Sequence, residues 1–419
     1  MMVLTRRGWL KHEQVRVGDE TIGYNFETGR SEWTRITAVH HYPVAPMVRY
    51  GNKYWSAECT LDHRWLTERV VRHYDGQQTG LTCPECGATS SRRGPGGLYG
   101  APFRSPRALQ IHRARTHAIP GTTRGGRTTT REVSAGFALR RLSEMTSQDR
   151  IMLAHKADTR GTLDITSREA SLLGWIAGDG WLSNEAFAIS QSKRQFFNTI
   201  DYACGADPRH RRYAERKGRK EHWLPSTAWR LSTAYSRDLL ARAGHPRHDA
   251  VRMVLAMSTE QRDAWLEAIL LSEGGWSDGK IVYYQNAGEL ADAIELAVYL
   301  SGFRPGRSER FRQGRIAVSI IEASPYAGGP SRRATLTEAP PREVWCPTTE
   351  LSSWTARSQD GGIFLTGDGD GDAGPSVARA ALSPAGGGTA GLLRGAARVG
   401  LGPGLRDLWH GRRDLRPCA

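Results

Sequence analysis

The sequence of 419 residues has no apolar run that approaches the roughly 20 residues needed to cross a bilayer. Its first stretch, MMVLTRRGWLKHEQ, lacks an apolar segment before a small-residue cleavage site, so we expect no secretory signal. It holds only six cysteines, two of them in a CxxC pair, which favours a metal site in a reducing compartment over a disulfide framework. These absences predict a cytoplasmic protein without a membrane partner, and we expect a bacterial or phage-infected host cell.

Acidic residues are in deficit, with 43 Asp and Glu against 58 Lys and Arg, which gives a formal net charge of +15. Such a surplus favours a polyanionic partner, although an arginine-rich composition encoded by a GC-rich genome produces the same balance. The length predicts about two to four domains. A hydrophobic content of 39% is enough for these domains to have real cores.

The segment 80–120 carries the metal-ligand pattern of a zinc finger. CPEC and, 25 residues later, HRARTH supply two thiols and two imidazoles, namely Cys83, Cys86, His112 and His117. Phe103 and Leu109 precede the first histidine at the spacing of a small ββα core, in which the metal replaces most of the hydrophobic core. The usual linker between the second cysteine and first histidine is about 12 residues, so this finger contains an insertion. We expect bound Zn²⁺, with unpaired thiols and exposed histidines as the alternative.

Two helical segments repeat at an offset of 94 residues. LLGWIAGDG follows a predicted capping box formed by Thr166 and Glu169. WLEAILLSEGG follows a second predicted box, formed by Ser258 and Gln261. A repeat of this length predicts a duplicated subdomain with a two-fold relation.

The same offset aligns Asp179 with Glu273, and Gln191 with Gln285. Each acid is predicted to end a helix and to be followed by a glycine turn and a strand. The first helix has small residues that would let the two helices pack side by side, namely Gly174, Ala177 and Gly178. The acids would then converge where helix ends leave carbonyl oxygens unpaired, and such a site suits Mg²⁺ and in-line cleavage of a phosphodiester.

These motifs resemble the paired motifs of double-motif LAGLIDADG homing endonucleases, over roughly residues 164–326. The resemblance implies a saddle of two αββαββα units in which the motif helices form the interface. It implies that Asp179 and Glu273 bind the Mg²⁺ ions that cut both DNA strands. It also implies Gln191 and Gln285 near the metal-bound water, with Lys193 as a further catalytic candidate. Two amphipathic core helices with incidental terminal acids are the alternative.

A basic segment, RHRRYAERKGRKEHW, lies between the two motifs. Its arginines and lysines are Arg209, Arg211, Arg212, Arg216, Lys217, Arg219 and Lys220, and Arg230 follows on a predicted strand. Beside a nuclease core we interpret the segment as an arm that contacts DNA phosphates, which positions the protein without specifying sequence. A solvated loop is the alternative. We expect a monomer with pseudo-two-fold symmetry that binds double-stranded DNA.

The segments before the zinc finger and after the endonuclease region are β-rich. In the first of them, VRVGDETIGYN and SEWTRITAVHHY predict a hairpin around the turn FETGR. The stretches TRRGWLKHEQVRVGDETIGYN, CTLDHRWLTE and VWCPTTELSSWTARSQDGGIFLTGD are similar to the outer blocks of Hint (intein-type) domains. Thr60 and His63 match that family's TxxH motif, in which the histidine assists the N-terminal acyl shift. Asp368 stands where the family has its terminal Asn. A plain β-sandwich is the alternative.

Protein splicing needs a Cys or Ser nucleophile at the first residue of the Hint domain. The sequence begins at Met1, Asp368 replaces the asparagine that cyclises, and Gly369 has no side chain to accept an acyl group. We therefore expect a frame that does not splice. An intein whose first residues are missing is the first alternative, and a zinc-finger DNA-binding regulator that does not cut is the second.

Together these patterns predict an α+β protein: a duplicated αββαββα saddle, an all-β Hint frame split around it, a zinc finger and a disordered C-terminal tail. The expected parts are 1–75 (N-terminal Hint-like part), 80–120 (finger), 121–160 (linker and connecting strands), 161–328 (endonuclease), 340–368 (C-terminal Hint-like part) and 369–419 (tail). The tail is glycine-rich and lacks lysine and glutamate, and such a composition buries too little apolar surface to fold. The predicted activity is site-specific cleavage of double-stranded DNA.

Overall fold

The computed structural model describes residues 1–52, 55–74, 130–146, 148–214, 226–277, 280–308, 315–321, 326–327, 334–359 and 361–368. The predicted zinc ligands, part of the basic segment and the tail lie outside these ranges; they are Cys83, Cys86, His112, His117, Arg216, Lys217, Arg219, Lys220 and 369–419. The chain forms two units, one made of Met1–Thr67 and Ala138–Ala419 and the other of Glu68–Phe137. Both repeated helices belong to the first unit.

Strands make up most of the N-terminal part. In chain order they are β1 (Met2–Thr5), β2 (Gly8–Leu10), β3 (Glu20–Asn25), β4 (Arg30–Asn52), β5 (Trp55–Cys59), β6 (Arg64–Tyr74), β7 (Thr130–Arg141) and β8 (Asp149–Met152). β3 and β4 pair antiparallel, with Glu20 opposite Arg35 and Asn25 opposite Arg30. The hairpin predicted for this stretch is therefore confirmed.

Helices and strands alternate in the middle of the chain. The first repeat contains α1 (Ser167–Asp179), β9 (Gly180–Ser183), β10 (Ala186–Gln191), α2 (Phe197–Cys204), β11 (Arg211–Ala214), β12 (Thr227–Arg230) and α3 (Thr233–Ala243), and α4 (Ala250–Ala256) follows it. The second repeat contains α5 (Thr259–Glu273), β13 (Gly275–Ser277), β14 (Lys280–Asn286), α6 (Glu289–Leu300), β15 (Arg304–Ser308) and β16 (Arg315–Ile321). The next described element after β16 is a strand, β17 (Tyr326–Ala327), so the final helix expected in each unit is seen only in the first repeat. No helix within the described ranges is both long and apolar enough to cross a membrane.

Each repeat contributes one four-stranded antiparallel sheet. The strand orders are β9-β10-β12-β11 and β13-β14-β16-β15, which are equivalent under the repeat. In the first sheet Phe187, Ile189 and Trp229 are buried in the same apolar cluster as α1 and α5. Ile281 and Tyr283 take the corresponding positions in the second sheet. Because side chains alternate along a strand, each sheet turns one face to the helices and the other face away from them.

The two ends of the described chain share sheets. Three strands lie at the C-terminal end: β18 (Thr335–Thr349), β19 (Ser353–Arg357) and β20 (Ile363–Gly367). One sheet has the order β2-β1-β19-β20 and another the order β18-β4-β3, so strands from both ends interleave. We call the strands β1–β5, residues 64–67 of β6 and the strands β18–β20 the β-rich body. Four aromatic side chains are buried in its core, namely Trp55, Trp65, Trp354 and Phe364. A frame that is split around an insertion requires such pairing between its two parts. The Hint-like identity of this frame stays a prediction.

The β-rich body contacts the second repeat through buried polar groups. The carboxylate of Glu295 on α6 is 2% exposed and accepts a hydrogen bond from Arg357 of β19 at 2.7 Å. Arg307 of β15 reaches the same carboxylate at 3.2 Å. The hydroxyls of Tyr299 and Thr355 lie 3.3 Å apart across the same boundary. The two bodies therefore pack directly against each other.

Both predicted capping boxes are present, and the first one anchors the start of α1. The Thr166 hydroxyl accepts a hydrogen bond from the Glu169 backbone N–H, and the Glu169 carboxylate accepts one from the Thr166 N–H at 2.8 Å. The same carboxylate accepts hydrogen bonds from Arg242 at 2.6 Å and from the Tyr235 hydroxyl at 2.9 Å. Burial alone would raise the pKa of Glu169, but the hydrogen bonds from Arg242, Thr166 and Tyr235 lower it to about 2. A charged carboxylate thus links α1 to α3.

Replacing Glu169 with Gln tests this charge. An unfolded glutamate titrates near pH 4.3, so the ionised group stabilises the fold fully above that pH and the contribution is lost as the pH falls towards 2. We expect Glu169→Gln to lower the free energy of unfolding by about 1 to 3 kcal/mol at pH 7. The loss should be smaller at pH 3, as measured by urea unfolding at the two pH values.

The matched control is Asp238→Asn, which removes an exposed carboxylate that pairs with the same Arg242. This change should alter the free energy of unfolding by less than about 0.5 kcal/mol. A Glu169→Gln loss that is the same at pH 7 and pH 3 would contradict a role for the charge.

Candidate active site

The repeated helices α1 and α5 pack side by side through glycines. A Cβ built on Gly174 would lie 2.5 Å from the Trp265 carbonyl oxygen and 2.8 Å from the Ala268 Cβ. A Cβ built on Gly178 would overlap the Ser272 hydroxyl. Only residues without a Cβ allow two helix backbones to come this close. The close approach predicted from the small residues is confirmed.

Asp179 is the last residue of α1, and Glu273 is the last residue of α5. Burial and, second, repulsion from Glu273 raise the pKa of Asp179 to about 6, while Lys193 and Arg247 partly offset this effect. A Cβ built on Gly178, the residue before Asp179, would lie 3.7 Å from the Glu273 Cγ, so the two helix ends are adjacent. The structure therefore brings the two predicted acids together, where the paired helices end.

Gln191 holds the Asp179 side chain in place. Its Nε2 donates a hydrogen bond to Asp179 Oδ2 at 2.7 Å. Its Oε1 accepts hydrogen bonds from the backbone N–H groups of Ser192 and Lys193, each at 2.9 Å. Because the oxygen is occupied by two donors, the amide nitrogen is the atom that faces the carboxylate. The polar residue predicted beside the acid lies in contact with it.

Gln285, the repeat equivalent of Gln191, makes different contacts. Its Nε2 donates to the Tyr283 hydroxyl at 3.3 Å, and its Oε1 accepts from the Asn286 N–H at 2.9 Å. Burial and the nearby Glu273 raise the pKa of Tyr283. The repeated sequence therefore gives two unlike environments for the two acids.

Two basic side chains lie against carbonyl oxygens at the helix ends. Lys193 Nζ lies 3.5 Å from the Ser272 carbonyl oxygen at the end of α5. Arg247 Nη2 donates to the Gly178 carbonyl oxygen at 2.9 Å, at the equivalent position of α1. Lys193 was a sequence candidate, whereas Arg247 was not. Arg247 lies in the loop between α3 and α4, and its only sequence signal is the short basic stretch HPRH between two predicted helices.

Basic and aromatic side chains share the face of the first sheet that points away from the helices. Across its four strands the register places Trp181 opposite Ala188, Ala188 opposite Arg230, and Arg230 opposite Arg211. Trp181 is 40% exposed, and Arg211 is also exposed. Residues directly opposite one another point to the same side of a sheet. Trp181, Arg230 and Arg211 therefore form a row across it.

Arg212 lies on the other face of the same sheet. Its guanidinium pairs with Asp201 at 2.6 Å and lies over the Trp229 ring at 5.3 Å from the centroid. Arg209, just before β11, is exposed. The basic residues predicted as one DNA-contacting group are thus divided between two faces.

The oxygen atoms gathered at the helix ends are donors that Mg²⁺ prefers. They comprise the carboxylates of Asp179 and Glu273, with the carbonyl oxygens of Gly178 and Ser272 one residue before each acid. Mg²⁺ is typically bound through one or two carboxylates and keeps several waters, so this donor set fits it. Within the described ranges, no group of three or more His, Cys, Asp or Glu side chains is placed to hold a metal ion. The predicted zinc ligands lie outside those ranges.

The two residues of the TxxH motif lie together in the β-rich body. The His63 N–H donates to the Thr60 carbonyl oxygen at 3.2 Å, and His63 Nε2 contacts the Thr366 hydroxyl. Burial lowers the pKa of His63 to about 4, so the imidazole is neutral at pH 7. Both residues line a cavity of about 330 Å³. The motif thus presents an uncharged imidazole at a cavity wall.

Asp368 is buried at the end of β20. Its Oδ2 accepts a hydrogen bond from the Thr349 N–H at 2.9 Å, and burial raises its pKa to about 7. Its backbone carbonyl oxygen accepts a hydrogen bond from Arg64 Nε at 2.8 Å. A guanidinium therefore lies against the carbonyl oxygen of Asp368.

No model of a known protein family matches this chain, and neither does any curated protein. Among solved structures, mesophilic variants of the homing endonuclease I-DmoI align with 12% identity and a TM-score of 0.29 over 37% of this chain and 89% of that chain. The complex of I-DmoI with DNA and Mn aligns with 13% identity and a TM-score of 0.28 over 37% of this chain and 89% of that one. Full-length DUF199/WhiA from Thermatoga maritima aligns with 10% identity and a TM-score of 0.27, over 38% and 57% of the two chains. Likenesses this weak do not assign the chain to a family.

Adding a methyl group at Gly174 tests the contact between α1 and α5. We expect Gly174→Ala to lower the free energy of unfolding by about 1 to 3 kcal/mol, because the methyl meets backbone of α5 that cannot rotate away. Urea unfolding followed by tryptophan fluorescence measures the change. Ser171→Ala, on the same helix, is the control and should be neutral or slightly stabilising. Equal stability of the two variants would contradict the close contact.

Proposed function

We propose that this protein is a site-specific endonuclease of the LAGLIDADG homing type that hydrolyses both strands of DNA, held in an intein-like frame that does not splice. The observation that carries the proposal is the convergence of Asp179 and Glu273 at the ends of two closely packed, repeated helices. A carboxylate is disfavoured at a helix C-terminus, where the helix dipole is negative. Two carboxylates held together at two such ends need a cationic partner to offset their repulsion.

In the proposed mechanism, neighbouring residues position the two carboxylates and offset their negative charge. At neutral pH Asp179 is mainly ionised, because its pKa of about 6 lies below 7. Gln191 fixes the position of Asp179 Oδ2, and Lys193 places a positive charge near the other helix end. Asp179 and Glu273 would hold Mg²⁺, whose chemistry there would be activation of a water and stabilisation of the charge on the departing oxygen. Gln285 is proposed as a polar group near the attacking water in the second repeat.

The proposed substrate is double-stranded DNA lying along the outward faces of the two sheets. Each repeat contributes one sheet, so a single chain offers two related surfaces and needs no second copy. In the first sheet the row of Trp181, Arg230 and Arg211 supplies cationic and planar groups. Arginines of this kind contact phosphates and hold the duplex in register. We also propose that residues 80–120 bind Zn²⁺ and contribute basic residues to DNA binding.

Removing the carboxylates one at a time tests the nuclease site. We expect Asp179→Asn or Glu273→Gln to reduce double-strand cleavage by at least about 100-fold, because each change removes an ionised metal ligand. Affinity for the target duplex should remain within about threefold of wild type, since phosphate contacts dominate binding. The target is first selected from random duplex DNA with Mg²⁺, and cleavage is then followed on gels. Full cutting by either variant would show that the substituted acid is not catalytic. A wild type that binds DNA without cutting it would favour the alternative of a zinc-finger DNA-binding regulator.

The arginines of the first sheet allow a paired test of the DNA surface. We expect Arg211→Ala to weaken DNA binding and to reduce the slope of log affinity against log salt by about one, as loss of a single phosphate contact does. Arg212→Ala is the matched neighbour, and it should leave the salt slope unchanged but lower the thermal stability, because its partner is Asp201. Fluorescence anisotropy across a salt series measures the slopes. Identical slopes for Arg211→Ala and wild type would show that Arg211 on this face of the first sheet does not contact DNA phosphates.

A second proposal concerns the frame: its C-terminal site is arranged for chain cleavage but lacks the reacting amide. In the family that the sequence resembles, the side-chain amide nitrogen of Asn attacks its own carbonyl carbon and forms a succinimide. The bond to the next residue breaks, and the released amine takes up a proton. The observation that favours this second proposal is the hydrogen bond from Arg64 to the Asp368 carbonyl oxygen. Asp368 has no amide nitrogen, so the cyclisation is blocked at this residue.

Restoring the amide tests the frame. We expect Asp368→Asn to cleave slowly after residue 368, whereas wild type stays intact between pH 6 and 9. Mass spectrometry after incubation identifies the products. Adding Arg64→Ala to Asp368→Asn should slow this cleavage by about 10-fold or more, because the polarising donor is lost. A break after residue 368 in wild type would show that the aspartate frame is competent and would revive the intein alternative.

A further inference from the structure

Arg247 makes an unusual set of contacts with the end of α1. Its Nε donates to the Ala177 carbonyl oxygen at 2.8 Å, and its Nη2 donates to those of Gly178 at 2.9 Å and Gly180 at 3.0 Å. A helix leaves its last carbonyl groups without partners inside the helix. One guanidinium therefore takes three oxygens around the residue that carries the first carboxylate.

The loop that carries Arg247 is built to hold it there. His245 Nδ1 accepts a hydrogen bond from the Arg247 N–H at 3.1 Å and another from the His248 N–H at 3.3 Å. The two imidazole rings lie 4.3 Å apart, and Asp249 Oδ2 accepts from the His245 N–H at 2.7 Å. Arg247 itself is exposed, so its guanidinium reaches the helix end from the solvent side. These contacts fix the backbone of Arg247 beside the end of α1.

The carbonyl contacted by Arg247 has an equivalent in the other helix. The 94-residue offset aligns Gly178 with Ser272, and the Ser272 carbonyl oxygen lies 3.5 Å from Lys193 Nζ. Each carbonyl next to an acid thus has a basic side chain against it. The Arg247 contacts are the shorter and more numerous of the two sets.

We propose that Arg247 is an internal counter-ion of the carboxylate pair, which occupies the Gly178 carbonyl oxygen and competes with a divalent cation for it. The proposal rests on the proposed function, because it places the cation at Asp179 and Glu273. Arg247 is a positioning residue: it fixes the end of α1 when no cation is bound. Because the guanidinium and a divalent ion repel each other, Arg247 would raise the cation concentration needed for binding.

Mn²⁺ binding to the full-length chain tests the competition. We expect Arg247→Ala and Arg247→Gln to bind Mn²⁺ roughly tenfold more tightly than wild type, because each removes one positive charge near the site. Arg247→Lys keeps the charge but not the three-carbonyl contact, so its affinity should lie between those of wild type and Arg247→Ala. Arg252→Ala, an exposed arginine of the neighbouring α4, is the control and should bind like wild type. Titration calorimetry measures all five proteins.

Three outcomes would overturn the proposal, and they can be told apart. If Mn²⁺ binding is lost in Asp179→Asn but Arg247→Ala binds no more tightly than wild type, the metal site stands and Arg247 is only a structural cap. If Asp179→Asn binds Mn²⁺ as wild type does, the cation does not lie at the acids and the proposed function fails with it. If circular dichroism shows that all three Arg247 variants are unfolded, Arg247 serves the fold and is not a displaceable counter-ion.

Discussion

The rest of the site depends on the contact between α1 and α5, where backbone meets backbone. At Gly174 a single added carbon would lie 2.5 Å from the Trp265 carbonyl oxygen, so the two helix axes are as close as their main chains allow. This closeness places Asp179 and Glu273 near enough to repel, and the repulsion adds to burial in raising the pKa of Asp179 to about 6. Packing in the core thus sets the electrostatics at the helix ends. The basic side chains of Lys193 and Arg247 partly offset this negative charge.

A duplicated sequence does not give duplicated chemistry. Gln191 bonds the carboxylate of Asp179 directly, whereas its equivalent Gln285 bonds the Tyr283 hydroxyl. The side-chain oxygens of both glutamines accept from backbone N–H groups, two for Gln191 and one for Gln285 in the described part of the chain. The two acids therefore start from unequal states, with Asp179 half-buried and Glu273 exposed. Equal participation of the two halves cannot be read from the repeat alone.

Local patterns in the sequence predict the helices and where they end, because the signals are local too. The capping boxes, the two terminal acids and the close approach at Gly174 follow from residues a few positions apart, and the structure confirms each of them. Local patterns do not predict contacts between residues that lie far apart in the sequence. Arg247 reaches a helix end about 70 residues earlier in the chain, and no periodicity or composition links the two. The sequence predicts the same role for Arg211 and Arg212, but both lie in β11, where neighbouring side chains point to opposite faces of the sheet.

The β-rich body has a physical role that does not depend on splicing. Glu295 in the second repeat is almost fully buried, and a buried carboxylate is tolerated only when it is paired. One of its partners, Arg307, comes from the same repeat, and the other, Arg357, comes from the β-rich body. Taking the β-rich body away would leave this charge with half its partners. It would also uncover the apolar surface of the repeats that clusters with Leu4, Ile22 and Ile363 of that body. The second repeat thus depends on the body for its stability, whether or not Asp368 ever reacts.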